Sequence, residues 1–235
     1  MNTLNQILLQ NVLHEPVKRL VIGINWTIVE GEQGCGLAHT PRRSAPGCQP
    51  IAEAGELSAR DLKSTAALVN SKNPIAVSIG MAAINAWYNR YDLVTDDDNG
   101  LDVFRGTTDT VTAVGRFPGL DRRYPFLNII EKEPQKEEYP ESKAEEILKL
   151  SRHTIITAST FVNGTALQML SYAKNSEIAF IGPGTPLCTR LFELGVNVLS
   201  GIIITNPDEA FRIVAEGGAV KELKKVGRFA TLRKN

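Results

Sequence analysis

The sequence predicts an α/β protein, and three observations carry that expectation. From Val111 onward, short apolar runs alternate with helical segments. Glycine-rich turns follow several of those runs. The residues before Val111 follow another plan, with β-branched runs first and helices after them. Strands that alternate with helices at this spacing build parallel βαβ units, whose right-handed crossovers put helices on both faces of one sheet.

The elements justify this in order. Leu4, Leu8 and Val12, with Ile7 beside them, have the spacing of an amphipathic helix. Val17 to Glu30 is β-rich, Gly31 to Gly36 interrupts it, and Leu37 to Thr40 resumes it, which predicts a hairpin or meander. Pro41 to Pro50 is a loop. Ser58 is the expected N-cap of a helix through Leu62, Ala66, Val69 and Asn70, with Asp61 completing a capping-box pattern. Pro74 opens a second helix, Ile75 to Trp87, whose small residues predict close packing. Tyr91 to Gly106 is polar and contains Asp96-Asp97-Asp98. This run lacks the alternating ligand spacing of a calcium loop and reads as a solvated connection. The boundary is placed here, giving domains 1–98 and 99–235. The expected strands of the second domain are Val111–Val114, Phe126–Ile130, Thr154–Ile156, Ile178–Ile181 and Val196–Ile204. Its helices are Ser142–Leu150, Thr165–Ala173, Pro186–Leu194 and Asp208–Glu216. This is a Rossmann-like arrangement, and its ligands lie beyond the carboxyl ends of the strands.

Composition narrows the function. Acidic and basic residues balance at 26 each and aromatics are 6% of the chain, which argues against nucleic-acid binding. Met1 to Glu15 is polar and has no cleavage-site pattern, and no apolar run is long enough to span a bilayer. Three scattered cysteines, Cys35, Cys48 and Cys188, make no disulfide framework. The expectation is a cytoplasmic protein with no membrane partner. Base rates favour a homodimer.

The candidate ligand residues sit in the turns. Gly115 and Phe117 follow the first strand of the second domain, where glycine permits close backbone approach, although the G-x-G-x-x-G fingerprint is incomplete. Glu131 ends the second strand, where dinucleotide folds hydrogen-bond a ribose, and it also fits a charged surface loop. Thr157, Asn163 and Thr165 crowd the third turn beyond what capping alone needs. Gly182, Gly184 and Thr185 form a rigid fourth turn, with Pro186 at the first helical position. The first domain offers Glu30, Gly36 and Asn85, and a buried Asn85 needs partners. Cys35, His39 and Cys48 are the possible soft-metal ligands, but their spacing matches no zinc module. No metal-ligand set, catalytic base or nucleophile can be assigned.

Four of these segments together resemble a known family. Gly80 to Ala86, Val114 to Pro118, Thr157 to Thr165 and Gly182 to Leu187 are similar to the putative heavy-metal chelation family, as are Gly23 to Thr27 and Gly34 to Thr40. The resemblance implies an enolase-N-terminal-like α+β domain followed by a Rossmann-like domain. It also implies a heterocyclic, pterin-, flavin-, siderophore- or nucleotide-like ligand, a metal chelator among the options, held between the domains. Whether the protein converts or only binds that ligand is left open, and no cofactor is named. Two other readings stand beside it: a direct soft-metal binder through Cys35, His39 and Cys48, and an S-adenosylmethionine-dependent methyltransferase-like enzyme.

Overall fold

The computed structural model describes residues 3–42 and 50–234. The chain opens with helix α1 (Thr3–Leu9), whose Leu4, Ile7 and Leu8 are buried at i, i+3 and i+4. Three antiparallel strands follow: β1 (Arg19–Ile22), β2 (Trp26–Glu30) and β3 (Cys35–His39). The expected β-rich run from Val17 to Glu30 is therefore two strands. The break is a tight turn at Gly23, whose N–H donates to the Trp26 carbonyl at 2.9 Å. The third strand begins at Cys35, two residues earlier than the glycines suggest.

Helix α2 (Leu62–Ala66) is capped by Asp61, which accepts from the Ser64 N–H at 3.0 Å and the Ser64 hydroxyl at 2.6 Å. Ser58 is not the cap; it lies in a separate 3₁₀ turn, Leu57–Ala59. Helix α3 (Pro74–Tyr88) starts at Pro74 with Asn73 as its cap and lies across the three-stranded sheet. Its small residues do what their size suggests. A Cβ at Gly36 on β3 would fall on the Ala82 carbonyl and the Ala86 N–H of α3, and a Cβ at Gly80 would meet the Val69 backbone.

The larger sheet has seven strands: β4 (Val111–Val114), β5 (Leu127–Glu131), β6 (Tyr139–Pro140), β7 (His153–Thr157), β8 (Glu177–Ile181), β9 (Val198–Ile204) and β10 (Gly227–Arg233). Their order is β10-β9-β8-β7-β4-β5-β6, with every pair parallel except β9–β10. From β6 to β9 this is the 3-2-1-4-5-6 order of doubly wound sheets, with the chain reversing direction between β4 and β7. The short β6 and the edge strand β10 are additions to the sequence expectation. β10 is antiparallel, hence needs no crossover helix.

Strand alternation separates the two faces. Ile156, Ile178, Phe180, Leu199 and Ile203 enter the main core with α4 (Ala144–Leu148), α5 (Ser159–Asn163), α6 (Ala166–Tyr172) and α3. Val111, Ala113, Ile155, Ala179, Ile181 and Val198 face the other way, against Phe104, Leu120 and Tyr124. That second face is covered by loops. Residues 115–126 form no helix, and the Tyr124 hydroxyl ties this loop down, donating to the Leu101 carbonyl at 2.8 Å and accepting from the Phe104 N–H. Helices α7 (Pro207–Ala215) and α8 (Val220–Leu223) separate β9 from β10. Among the described residues no helix is long and apolar enough to cross a membrane.

The Asp96-Asp97-Asp98 run is exposed and clamped to β10. Asp96 bridges Thr231 through the backbone, Asp97 pairs with Arg228 at 2.9 Å, and Asp98 pairs with Arg233 at 3.3 Å. The connection is held as an extra edge segment.

A candidate ligand cavity between the two sheets

A cavity of about 500 Å³ opens at the carboxyl ends of β4, β5, β7 and β8, within the size range of small-molecule sites. Its floor is built from the turns that leave those strands. Gly115 takes φ +98°, and a Cβ there would stand 2.7 Å from Thr157 Cγ2, so the β4 and β7 turns meet at the topological switch point. Gly182, at φ +134°, starts the β8 turn and donates to the Ser200 carbonyl at 3.1 Å. Arg116, Phe117 and Pro118 wall one side, and Ser200, Gly201, Val220, Lys221, Lys224 and Phe229 wall the other. Asn99 to Leu101 crosses between them. The three-stranded sheet closes the cavity with Trp26 and His39, whose rings meet edge to face at 6.3 Å.

Charge is distributed unevenly around this space. The Glu131 carboxylate accepts from the Arg116 N–H at 2.7 Å and from its own neighbour, the Lys132 N–H, at 3.1 Å. The Arg116 guanidinium turns to Glu138 in a two-point ion pair and also reaches the Glu133 carbonyl. That bond holds the Glu138 carboxyl down at about 2 and raises the guanidinium. His39 is lowered, first by burial and then by the neighbouring charge of Arg42, so its ring favours the neutral form.

Of the twelve candidate residues, Gly115, Phe117, Glu131, Thr157, Gly182 and Gly184 line the cavity. The other six lie outside its lining, each with structural work of its own. Glu30 binds Arg19 at 2.6 Å, and Arg19 continues to Asp208 of α7 and stands 4.4 Å over the Phe211 ring. Gly36 permits the close crossing of α3. Asn85 donates to the Leu37 carbonyl at 2.7 Å and the Gly184 carbonyl at 2.9 Å. Asn163 accepts from the Thr165 N–H and hydroxyl, so these two residues satisfy each other in a turn ahead of α6. Thr185 is fully buried, its N–H on the Gly182 carbonyl and its own carbonyl on Asn89. The Gly-Pro-Gly turn thus has two duties. Gly184 lines the cavity, and its carbonyl accepts from the Asn85 amide at 2.9 Å, which ties the turn to the helix behind β3.

Sequence reading passed over Trp26, Lys221, Lys224, Phe229 and Asn89. Trp26 looks like any strand aromatic, and the lysines sit in an ordinary basic run. Asn89 is the firmest tie between the sheets: its amide donates to the Thr185 and Ile202 carbonyls, and its oxygen accepts from the Leu187 N–H.

The soft-metal alternative does not fit these residues. Cys35 and His39 are four strand positions apart, about 14 Å at ~3.4 Å per residue, whereas two ligands of one ion each stand about 2.0–2.3 Å from it. The Cys35 thiol is buried in an apolar cluster, and burial pushes its pKa up, opposing the thiolate a metal needs. Cys48 lies outside the described residues. Among the described residues no group of three or more His, Cys, Asp or Glu side chains is placed to hold a metal ion.

Comparison with known proteins gives two family matches and two similar solved structures. A family described as "Putative heavy-metal chelation" is matched over residues 99–233, and a second with the same description over residues 6–88. A crystal structure of a DUF364-family protein of unknown function from Desulfitobacterium hafniense DCB-2 is 31% identical, with a TM-score of 0.86 and 98% of each chain covered. Another, from Pyrococcus horikoshii, is 20% identical with a TM-score of 0.80 and 98% coverage of each chain, a likeness of fold. No curated protein matches.

Proposed function

The chain belongs to this heavy-metal chelation family, and from that premise we propose that it binds or converts a small heterocyclic ligand in the cavity between the two sheets. The ligand is pterin-, flavin- or siderophore-like, or nucleotide-like. In this reading residues 1–98 and 99–235 act as two domains that share one site, and the chelating atoms belong to the ligand. One observation carries the proposal: the cavity sits at the switch point of a doubly wound sheet and is closed by aromatic side chains of the other sheet. Phe117 and Trp26 supply flat apolar walls for a ring. Glu131 offers an acceptor held in place by two backbone N–H groups. Thr157 and the Gly182 turn supply polar contacts along one edge.

The test is thermal melting with a panel of pterins, flavins, nucleotides and ferric siderophores. A ligand at a hundredfold its Kd adds about 2.7 kcal/mol, which for a chain of this size raises Tm by roughly 5–10 °C. Ser159 lines the cavity, so Ser159→Trp fills it with an indole and should remove the rise. No response to any member of the panel, or a rise that survives Ser159→Trp, refutes the proposal.

A further inference from the structure

The cavity is polarised along its length. Glu131 lies on β5 and Phe229 on β10, five strand-to-strand steps apart in the sheet order. At ~4.8 Å per step this separation is about 24 Å. The β5 end presents the carboxylate, while the far end presents Lys221 and Lys224. Among the described residues neither lysine is placed in a salt bridge, and Lys224 Nζ stands 5.2 Å from the Phe229 ring centroid. Arg116, the remaining cation of the lining, is already engaged by Glu138. Between the ends the walls are aromatic and aliphatic: Phe117, Trp26 and Ile181.

We infer that the ligand is an aromatic anion, with its planar body along these walls and its carboxylate, sulfonate or phosphate group at Lys221 and Lys224. The inference rests on the cavity being the ligand site. The charge fixes the direction of binding. An anionic group at the β5 end would face Glu131, whereas at the α8–β10 end it meets two cations that lack a protein counter-ion. Two ammonium groups beside a low-dielectric wall attract an anion more strongly than the same groups in open water. They also raise the rate at which it arrives.

The experiment uses the full chain and two fluorescent probes of the same shape, anilinonaphthalene sulfonate and its uncharged relative N-phenylnaphthylamine. The sulfonate should bind the wild type more tightly than the neutral probe. The double substitution Lys221→Met, Lys224→Met keeps most of the apolar stems and removes the charge. It should weaken the sulfonate at least about tenfold, equivalent to 1.4 kcal/mol, and leave the neutral probe unchanged. The sulfonate's advantage should also shrink with added salt. Ser159→Trp should abolish binding of both probes. If both are lost in Ser159→Trp but the lysine substitutions leave the sulfonate unaffected, the anion assignment is overturned and the cavity reading stands. If Ser159→Trp leaves both probes bound, the cavity reading itself fails, and the anion assignment with it.

Discussion

Replacing Asn89 by alanine should loosen the two sheets from each other more than replacing Asn73, the N-cap of the same helix. The side chain is 1% exposed and makes three hydrogen bonds across the junction, to the Thr185 and Ile202 carbonyls and from the Leu187 N–H. Truncation leaves the Leu187 donor with no side-chain partner in a dry site and weakens the satisfaction of both carbonyls. A buried group stripped of its partner costs about 1–3 kcal/mol. The two carbonyls retain second lone pairs for other donors, so the total is about 3–4 kcal/mol, toward the low end of three such losses. For a chain of this length that lowers Tm by roughly 6–15 °C. Asn73→Ala is the internal control. It removes one N-cap bond, to the Ile75 N–H at 2.9 Å, and should cost about 1 kcal/mol. The assay is thermal melting followed by circular dichroism and by tryptophan fluorescence, since both tryptophans, Trp26 and Trp87, lie in the first sheet and its covering helix. A Tm for Asn89→Ala equal to or above that of Asn73→Ala refutes the assignment of Asn89 as the main polar tie.

Two glycines separate steric from conformational cost. Gly36→Ala drives a methyl into the α3 backbone and should abolish soluble expression. Gly164→Ala, at φ +79° with open space around it, should fold and lose only about 1 kcal/mol; equal behaviour of the two would contradict the close crossing. Acid titration tests Asp61, whose carboxyl the Ser64 hydroxyl holds down at about 2. A folded pKa below the unfolded value of about 3.9 contributes stability above that value and loses it as pH falls toward the folded one. The gap in urea midpoint between wild type and Asp61→Asn should therefore shrink between about pH 4 and about pH 2. A gap independent of pH would show that the carboxylate charge does not matter there.

The larger sheet was legible because its central parallel strands β4, β7, β8 and β9 are mostly buried and must be short apolar runs, while helices between strands carry their own periodicity. Val111–Val114, Ile178–Ile181 and the helix around Asp208–Glu216 fall within a residue or two of their expected bounds. The strand β10 was missed because Gly227 to Arg233 mixes two arginines and a threonine with only three apolar side chains and follows Lys224 and Lys225, so it resembles a polar tail until β9 pairs with it. Asp61 displaced Ser58 as the α2 cap for a local reason. The helix starts at Leu62, so only the residue before it can reach the Ser64 N–H.

The cavity was half legible. Turn residues that follow strands must gather at one edge of a parallel sheet, so Gly115, Glu131, Thr157 and Gly182 were placed together by sequence order alone. The side chains of Asn85 and Asn163 looked just as functional, yet they satisfy backbone groups at a junction and a turn, and the buried Thr185 hydroxyl has no partner among the described residues. A hydrogen-bonding side chain has the same spelling whether its partner is a ligand or a carbonyl.

The order of apolar runs and glycine turns, read from the sequence by itself, determined a parallel sheet whose turns gather at one edge. Periodicity and turn chemistry act over a few residues and are written locally. Only the tertiary structure decided what stands opposite that edge: Trp26 and His39 on one side, and Lys221, Lys224 and Phe229 on the other. Those contacts join segments up to about two hundred residues apart, and they depend on how Asn85, Asn89 and the Gly184 turn dock β3 against the larger sheet. That docking is set by close packing and by donors matched to particular carbonyls, which have no period for a sequence to display.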